Sequence, residues 1–157
     1  MLEINTKAPA FSLLNQAGET VTLDTVPEAW KVIYFYPKDD TPGCTKEACA
    51  IAEIYKEFKK MGVVVYGVSK DSPASHLKFK VKYKLPFTLL SDESTEMIQA
   101  YGAWTEKSMY GKKYLGTNRI TYIINPKGKI AKIYPKVAPT EHALEIIADL
   151  RDLIMKY

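Results

Sequence analysis

The apolar residues of this chain come in short bursts between polar turns, and the spacing within each burst changes along the sequence. Residues 11–14 and 20–23 flank the turn Asn15-Gln16-Ala17-Gly18, which predicts a short hairpin ahead of the main sheet. Val32, Ile33, Tyr34, Phe35 and Tyr36 follow without a polar break, the pattern of a central strand over 31–36 buried on both faces. Pro37 has no amide to give to a ladder and stops it. The spacing then turns helical: Ala48, Ile51, Ala52, Tyr55 and Phe58 share one stripe, and Gly62 ends the predicted helix. Residues 63–69 form a second apolar strand. Strand, long helix, strand is a βαβ unit, whose crossover is right-handed in nearly all proteins.

Ser72 and Pro73 start another helix. Beyond them the pattern is ambiguous. Leu77, Phe79, Val81, Tyr83 and Leu85 alternate with Lys78, Lys80, Lys82 and Lys84, a period of two that would suit a strand. The start signal favours helix. Residues 87–90 are a short extended piece and 95–101 a short helix. Residues 119–124 and 129–134 are strands around the turn Asn125-Pro126-Lys127-Gly128. Thr140 is expected to cap a last helix with Ala143, Ile146, Ile147, Leu150, Leu153 and Ile154 on one face.

Composition narrows the class. The chain has 157 residues, 46% hydrophobic and 25% charged, as in an ordinary globular domain with its own core. The net charge of +4, from 22 basic and 18 acidic residues, is too mild to single out a nucleic-acid partner. The lysines between 78 and 84 read as a solvated face. The segment MLEINTKAPAFSLL lacks a signal-peptide pattern, and no apolar run approaches the ~20 residues of a membrane span. A cytoplasmic location without membrane attachment is therefore expected, and in a reducing cytosol cysteines are more often reactive than structural.

Both cysteines lie in FYPKDDTPGCTKEAC, residues 35–49. Thr41 before Pro42 is a helix start, with a hydroxyl cap and a proline at the first helical position. Cys44 then stands third in the helix, among unpaired amides, where the helix dipole favours negative charge on sulfur. A free thiol is already a few per cent ionised at neutral pH, so complete ionisation gains only roughly 30-fold. Fast chemistry at Cys44 also needs donors that position a substrate and hold developing charge, such as the Thr41 hydroxyl, the first-turn amides and a cation from elsewhere. Residues five apart on a helix have Cα atoms ~8.6 Å apart. Bridging needs less than ~7 Å. A bond between Cys44 and Cys49 therefore requires the first turns to unwind.

The same stretch resembles, without a gap, the active-site segment of peroxiredoxins of the bacterioferritin comigratory protein type, also called peroxiredoxin Q. Pro37, Thr41 and Cys44 stand where that family has its proline, threonine and peroxide-attacking cysteine. Cys49 matches a resolving cysteine, and Arg119 in RITYIINPKGKI matches the pocket arginine. The segments YGAWTEKSMYGKKYLG and KDSPASHLKF also look like this family. The resemblance implies a thiol peroxidase acting on hydrogen peroxide and organic hydroperoxides. Cys44 would pass through a sulfenic acid to an intramolecular Cys44–Cys49 disulfide, with Pro37, Thr41 and Arg119 in the substrate pocket. Thioredoxin or a similar dithiol protein would restore both thiols, in antioxidant defence, with no cofactor or metal. Because both cysteines lie on one chain, a monomer suffices. The order of elements suits the fold that this implies: one thioredoxin-like α/β domain over residues 1–157, with a central mixed sheet flanked by helices and an N-terminal hairpin extension.

Two other classes compete. Cys44 and Cys49 are spaced as one half of a zinc site, but His76 and His142 are too far apart in sequence to be the other half. A protein disulfide-exchange function would call for a Cys-X-X-Cys pair, which is absent. Glu47 either pairs with Arg119 or faces solvent. Trp104 and Tyr110 either line the pocket or pack elsewhere. His76 and His142 are expected on helix surfaces.

Overall fold

The computed structural model describes residues 2–157. Strands β1 (Ser12–Asn15) and β2 (Thr20–Thr22) form the expected hairpin. It is not a free extension: β1 pairs antiparallel with β5 (Thr88–Ser91) and continues the main sheet. Among the described residues the sheet has seven strands in the order β2-β1-β5-β4-β3-β8-β9. Here β3 is Lys31–Phe35, β4 Val64–Ser69, β8 Thr121–Ile124 and β9 Ile130–Tyr134. Strands β3, β4 and β5 run parallel, and β8 and β9 antiparallel to their neighbours, so the sheet is mixed. This is the thioredoxin-like architecture the element order suggests.

Burial explains the unbroken apolar run of β3. Val32, Tyr34 and Tyr36 face a cluster with Ala48, Ile51, Phe58, Phe79, Ile146 and Leu150. Ile33 and Phe35 face the opposite cluster, with Tyr66, Met97, Ile98, Tyr101 and Tyr122. Helices α1 (Pro42–Glu53), α2 (Tyr55–Lys60), α3 (Pro73–Tyr83) and α5 (His142–Lys156) contribute to the first cluster, and α4 (Glu96–Ala100) to the second. A strand covered on both sides has no polar face to show.

Several expectations need correction. The long helix after β3 is two helices, interrupted at Ile54, whose backbone leaves the helical region at φ −112° and ψ 18°. The ambiguous stretch is helical as the start signal favours, but only as far as Tyr83. Ser72 caps it by accepting from the Ser75 amide at 3.2 Å. Its alternation reflects composition rather than a strand: Phe79 is buried, but Val81 is 69% exposed. Thr140 does not cap α5; the residue before the helix is Glu141, which makes no side-chain cap bond. A second sheet, absent from the expected elements, pairs β6 (Trp104–Met109) with β7 (Lys112–Thr117). Tyr110 and Gly111 both take positive φ at its tip, the left-handed pair that a two-residue hairpin turn needs. His76 and His142 are buried, not on the surface. His142 Nε2 lies 2.8 Å from Thr121 Oγ1, which ties α5 to β8.

Gly67 in β4 is required by close packing. A Cβ there would sit 2.8 Å from the Tyr34 ring and hydroxyl and 2.9 Å from Leu89 Cδ2. Gly67→Ala is expected to lower unfolding free energy by about 1–3 kcal/mol, measured by denaturant titration.

Candidate active site

The site is built where β3 ends. The turn over 37–41 carries the chain into α1, with Thr41 extended at φ −102° and Pro42 at the first helical position. Cys44 stands third, as the spacing predicts. Its side chain turns inward to the helical cluster and the residue is 1% exposed. Arg119, two residues before β8, reaches it from the neighbouring strand of the sheet. Its Nη2 donates to Cys44 Sγ at 3.1 Å, and its Nη1 donates to Glu47 Oε1 at 3.0 Å. A planar guanidinium can hold both partners at once; lysine could not do so in a fixed geometry.

Glu47 thus pairs with Arg119 and does not face solvent. It is 1% exposed, and its second carboxylate oxygen has no hydrogen-bond partner among the described residues. Burial pushes its carboxyl up to about 7, against the opposing pull of the Arg119 charge. The Tyr34 hydroxyl is also buried, with no partner among the described residues. Burial first, and then the neighbouring Glu47 and Cys44 charges, push that phenol up, so it stays neutral.

Thr41 differs from expectation. Its hydroxyl caps no helical amide and donates instead to the Lys38 carbonyl at 2.8 Å, closing the turn on itself. The oxygen remains at the helix mouth, half-buried, and Pro37 is half-buried beside the same turn. Cys49 lies on the same unbroken helix as Cys44, half-buried, with burial raising its thiol. Both thiols are free. Trp104 is half-buried in β6 with the Lys70 ammonium 5.9 Å from its ring centre. Tyr110 is 98% exposed at the hairpin tip and is not among the residues that line the cleft at Arg119. Lys107 of β6, which sequence reasoning missed, donates to the Thr117 carbonyl two residues before Arg119. Burial lowers its ammonium, the Arg119 charge lowers it further, and the Cys44 charge opposes both. The signal that would have found it is the hairpin, which the hydrophobic pattern does not reveal.

Access is asymmetric. The Arg119 side chain is 22% exposed, and a cleft lined by Asn118, Arg119, Pro135, Lys136 and Val137 opens onto it. A small oxygen-bearing molecule therefore meets the guanidinium before the sulfur. The arrangement suits attack by a buried sulfur on a molecule whose leaving oxygen gains negative charge. Among the described residues, the group of three or more ligand-type side chains close enough to share a metal ion is Asp39, Asp71 and His76, and it includes neither cysteine. The zinc half-site reading therefore lacks its remaining ligands. No helix among the described residues is long and apolar enough to cross a membrane.

Comparison with known proteins agrees with this chemistry. The AhpC/TSA family model matches residues 4–133. The Bacillus subtilis peroxiredoxin Bcp is 41% identical over 155 residues, covering 99% of each chain. The structure of the Xanthomonas campestris bacterioferritin comigratory protein, described for its alkyl peroxide reduction, superposes with a TM-score of 0.86 at 38% identity over 90% of both chains. A cysteine-to-serine variant of Xylella fastidiosa PrxQ gives 0.92 at 30% identity over 98% of both.

Two outcomes test the geometry. A Cβ on Gly43 would come within 2.7 Å of Arg119 Nη2, the flexible end of a side chain. Gly43→Ala should therefore fold normally yet displace the guanidinium from sulfur, slowing oxidation of Cys44 at least tenfold in stopped-flow fluorescence. Glu47 titrates near 4.5 in the unfolded chain and about 7 in the folded one. The folded state therefore binds its proton more tightly, and stability falls as pH rises across that window. The loss is up to about 3 kcal/mol. Glu47→Gln should remove this slope, read as the difference in denaturant midpoints between pH 4 and 8.

Proposed function

The chain belongs to the AhpC/TSA family as a peroxiredoxin of the Bcp, or PrxQ, type, a thiol peroxidase and oxidoreductase, and from that premise we propose which residues carry its reaction. Cys44 is the peroxide-attacking cysteine. Its thiolate attacks one peroxide oxygen in line with the O–O bond; a sulfur–oxygen bond forms, and the other oxygen leaves as hydroxide or alkoxide and takes up a proton. Arg119 donates to the attacking sulfur and stabilises charge on the departing oxygen, while Glu47 fixes the guanidinium by its other nitrogen. The Thr41 hydroxyl, the first-turn amides and Pro37 frame the peroxide. The observation that carries this reading is the 3.1 Å contact between Arg119 Nη2 and Cys44 Sγ, made by residues 75 apart in sequence.

The product is a Cys44 sulfenic acid. On an intact α1 the Cys49 sulfur cannot reach it, so the first turns unwind, Cys49 attacks, water leaves and the disulfide closes. A dithiol protein, thioredoxin in this proposal, returns both thiols by exchange. The alkyl peroxide activity of the Xanthomonas relative supports organic hydroperoxides as substrates beside hydrogen peroxide. The reaction needs one chain, and we place it in the cytoplasm, where thioredoxin-type reductants operate.

Cys44→Ser should abolish peroxide consumption. Cys49→Ser should consume one equivalent of peroxide per chain and then stall with thioredoxin, measured by thiol counting against peroxide loss. Multiple thioredoxin-driven turnovers by Cys49→Ser would sink the proposed pairing.

A further inference from the structure

The turn that carries Thr41 into α1 is held by a polar cluster the reaction does not use. Asp39 points inward and is buried. Its Oδ1 accepts from the Tyr36 hydroxyl at 2.6 Å. Its Oδ2 accepts from the Ser75 hydroxyl at 2.8 Å and lies 2.7 Å from His76 Nδ1. Its amide donates to Asp71 Oδ2 at 2.9 Å, and the same oxygen accepts from the Ser69 hydroxyl at 2.6 Å. Asp40, held at φ +55°, takes Lys82 Nζ and the Tyr83 hydroxyl, each at 2.7 Å. Both acids of the turn are thus fastened to α3, not to α1.

His76 is the pivot of this cluster, with no exposed surface. Its Nε2 is 2.9 Å from the Leu90 carbonyl in β5. A carbonyl only accepts, so Nε2 donates. A proton must also lie between Nδ1 and the Asp39 carboxylate. The ring therefore clamps the active-site turn to the middle of the sheet through two directed bonds in a dry setting, where such bonds are strong and costly to lose. Asp39, Asp71 and His76 have donors close enough together for a metal ion, but each facing atom already has a protein partner, so the cluster reads as a brace.

We propose that His76, acting through Asp39, is a positioning residue for the peroxidase reaction: it keeps the turn over 37–41 fixed while the first turns of α1 open and close. The inference rests on the reading of Cys44 and Cys49 given above. Before oxidation the brace holds Thr41 and the helix mouth in register with Arg119, so that Cys44 meets the peroxide at the guanidinium. During disulfide formation it supplies the stationary end from which α1 unwinds, and after reduction the end on which it rewinds. Loss of the brace should impair the first step, which needs an exact pocket, and spare the second, which needs the pocket to come apart.

The test is stopped-flow kinetics on His76→Phe and Asp39→Asn, with sulfenic acid formation and disulfide closure followed separately. Each variant should slow the peroxide step about tenfold or more, since small displacements of a reacting pair are costly. Disulfide closure should be as fast as in the unaltered protein, or faster. The double variant should be little slower than either single one, because the two residues act as one unit. Should His76→Phe fail to fold, Asp39→Asn and His76→Gln carry the same comparison. Folded variants with an unchanged peroxide step would overturn the proposal, and so would equal slowing of both steps, which marks general damage. The unaltered protein is the control: absence of a Cys44 sulfenic acid there would sink the reading of the active site itself, not this inference alone.

Discussion

A single guanidinium bridging a buried sulfur and a buried carboxylate is the contact on which the rest of this structure depends. Neither Cys44 nor Glu47 has appreciable access to water, and each would be an expensive place for negative charge without Arg119 between them. The bridge holds only if three elements arrive together. Strand β3 must end where Pro37 ends it, α1 must start at Pro42, and β8 must lie antiparallel beside β3 so that Arg119 enters from the adjacent strand. The mixed sheet is thus the frame that sets one nitrogen-to-sulfur distance. The double cover of β3 by helices on one face and α4 on the other makes that frame stiff.

Glycine at two places shows how tight the tolerances are. Gly43 leaves room for the guanidinium itself, and Gly67 leaves room for the Tyr34 ring that floors the site. Neither position has a positive φ, so these glycines serve close approach and not turn geometry. The Glu47 oxygen and the Tyr34 hydroxyl near the site are buried without a partner among the described residues. Such departures from full polar satisfaction are expected where chemistry is done.

What could be read from sequence follows the range of the interactions. The apolar run of β3, the Thr-Pro helix start and the third-position cysteine are local, and the structure has them as written. Arg119 was legible only through the resemblance, since nothing in RITYIINPKGKI by itself says that the strand lies beside Cys44. Glu47 stayed open for the same reason: its partner is 72 residues away. His76 was misjudged because the lysines around it mark a solvated face, while its burial depends on Asp39 and Leu90, which the helical period does not show. The β6–β7 hairpin was missed because its faces are mostly exposed, so it has no alternation of apolar and polar residues to announce it. Thr41 was right in place and wrong in partner, a difference of hydroxyl rotation below what spacing can resolve.

The interruption at Ile54 has a mechanical consequence. Because α1 ends there and α2 begins anew, the segment that bears both sulfurs is a twelve-residue unit with its own terminus. In the proposed unwinding, melting from Pro42 would meet a break before Phe58 and the packing that secures α2. The discontinuity works as a firebreak. In the proposed cycle, a few turns of one short rod come apart while the packing around Phe58 beyond it stays in place.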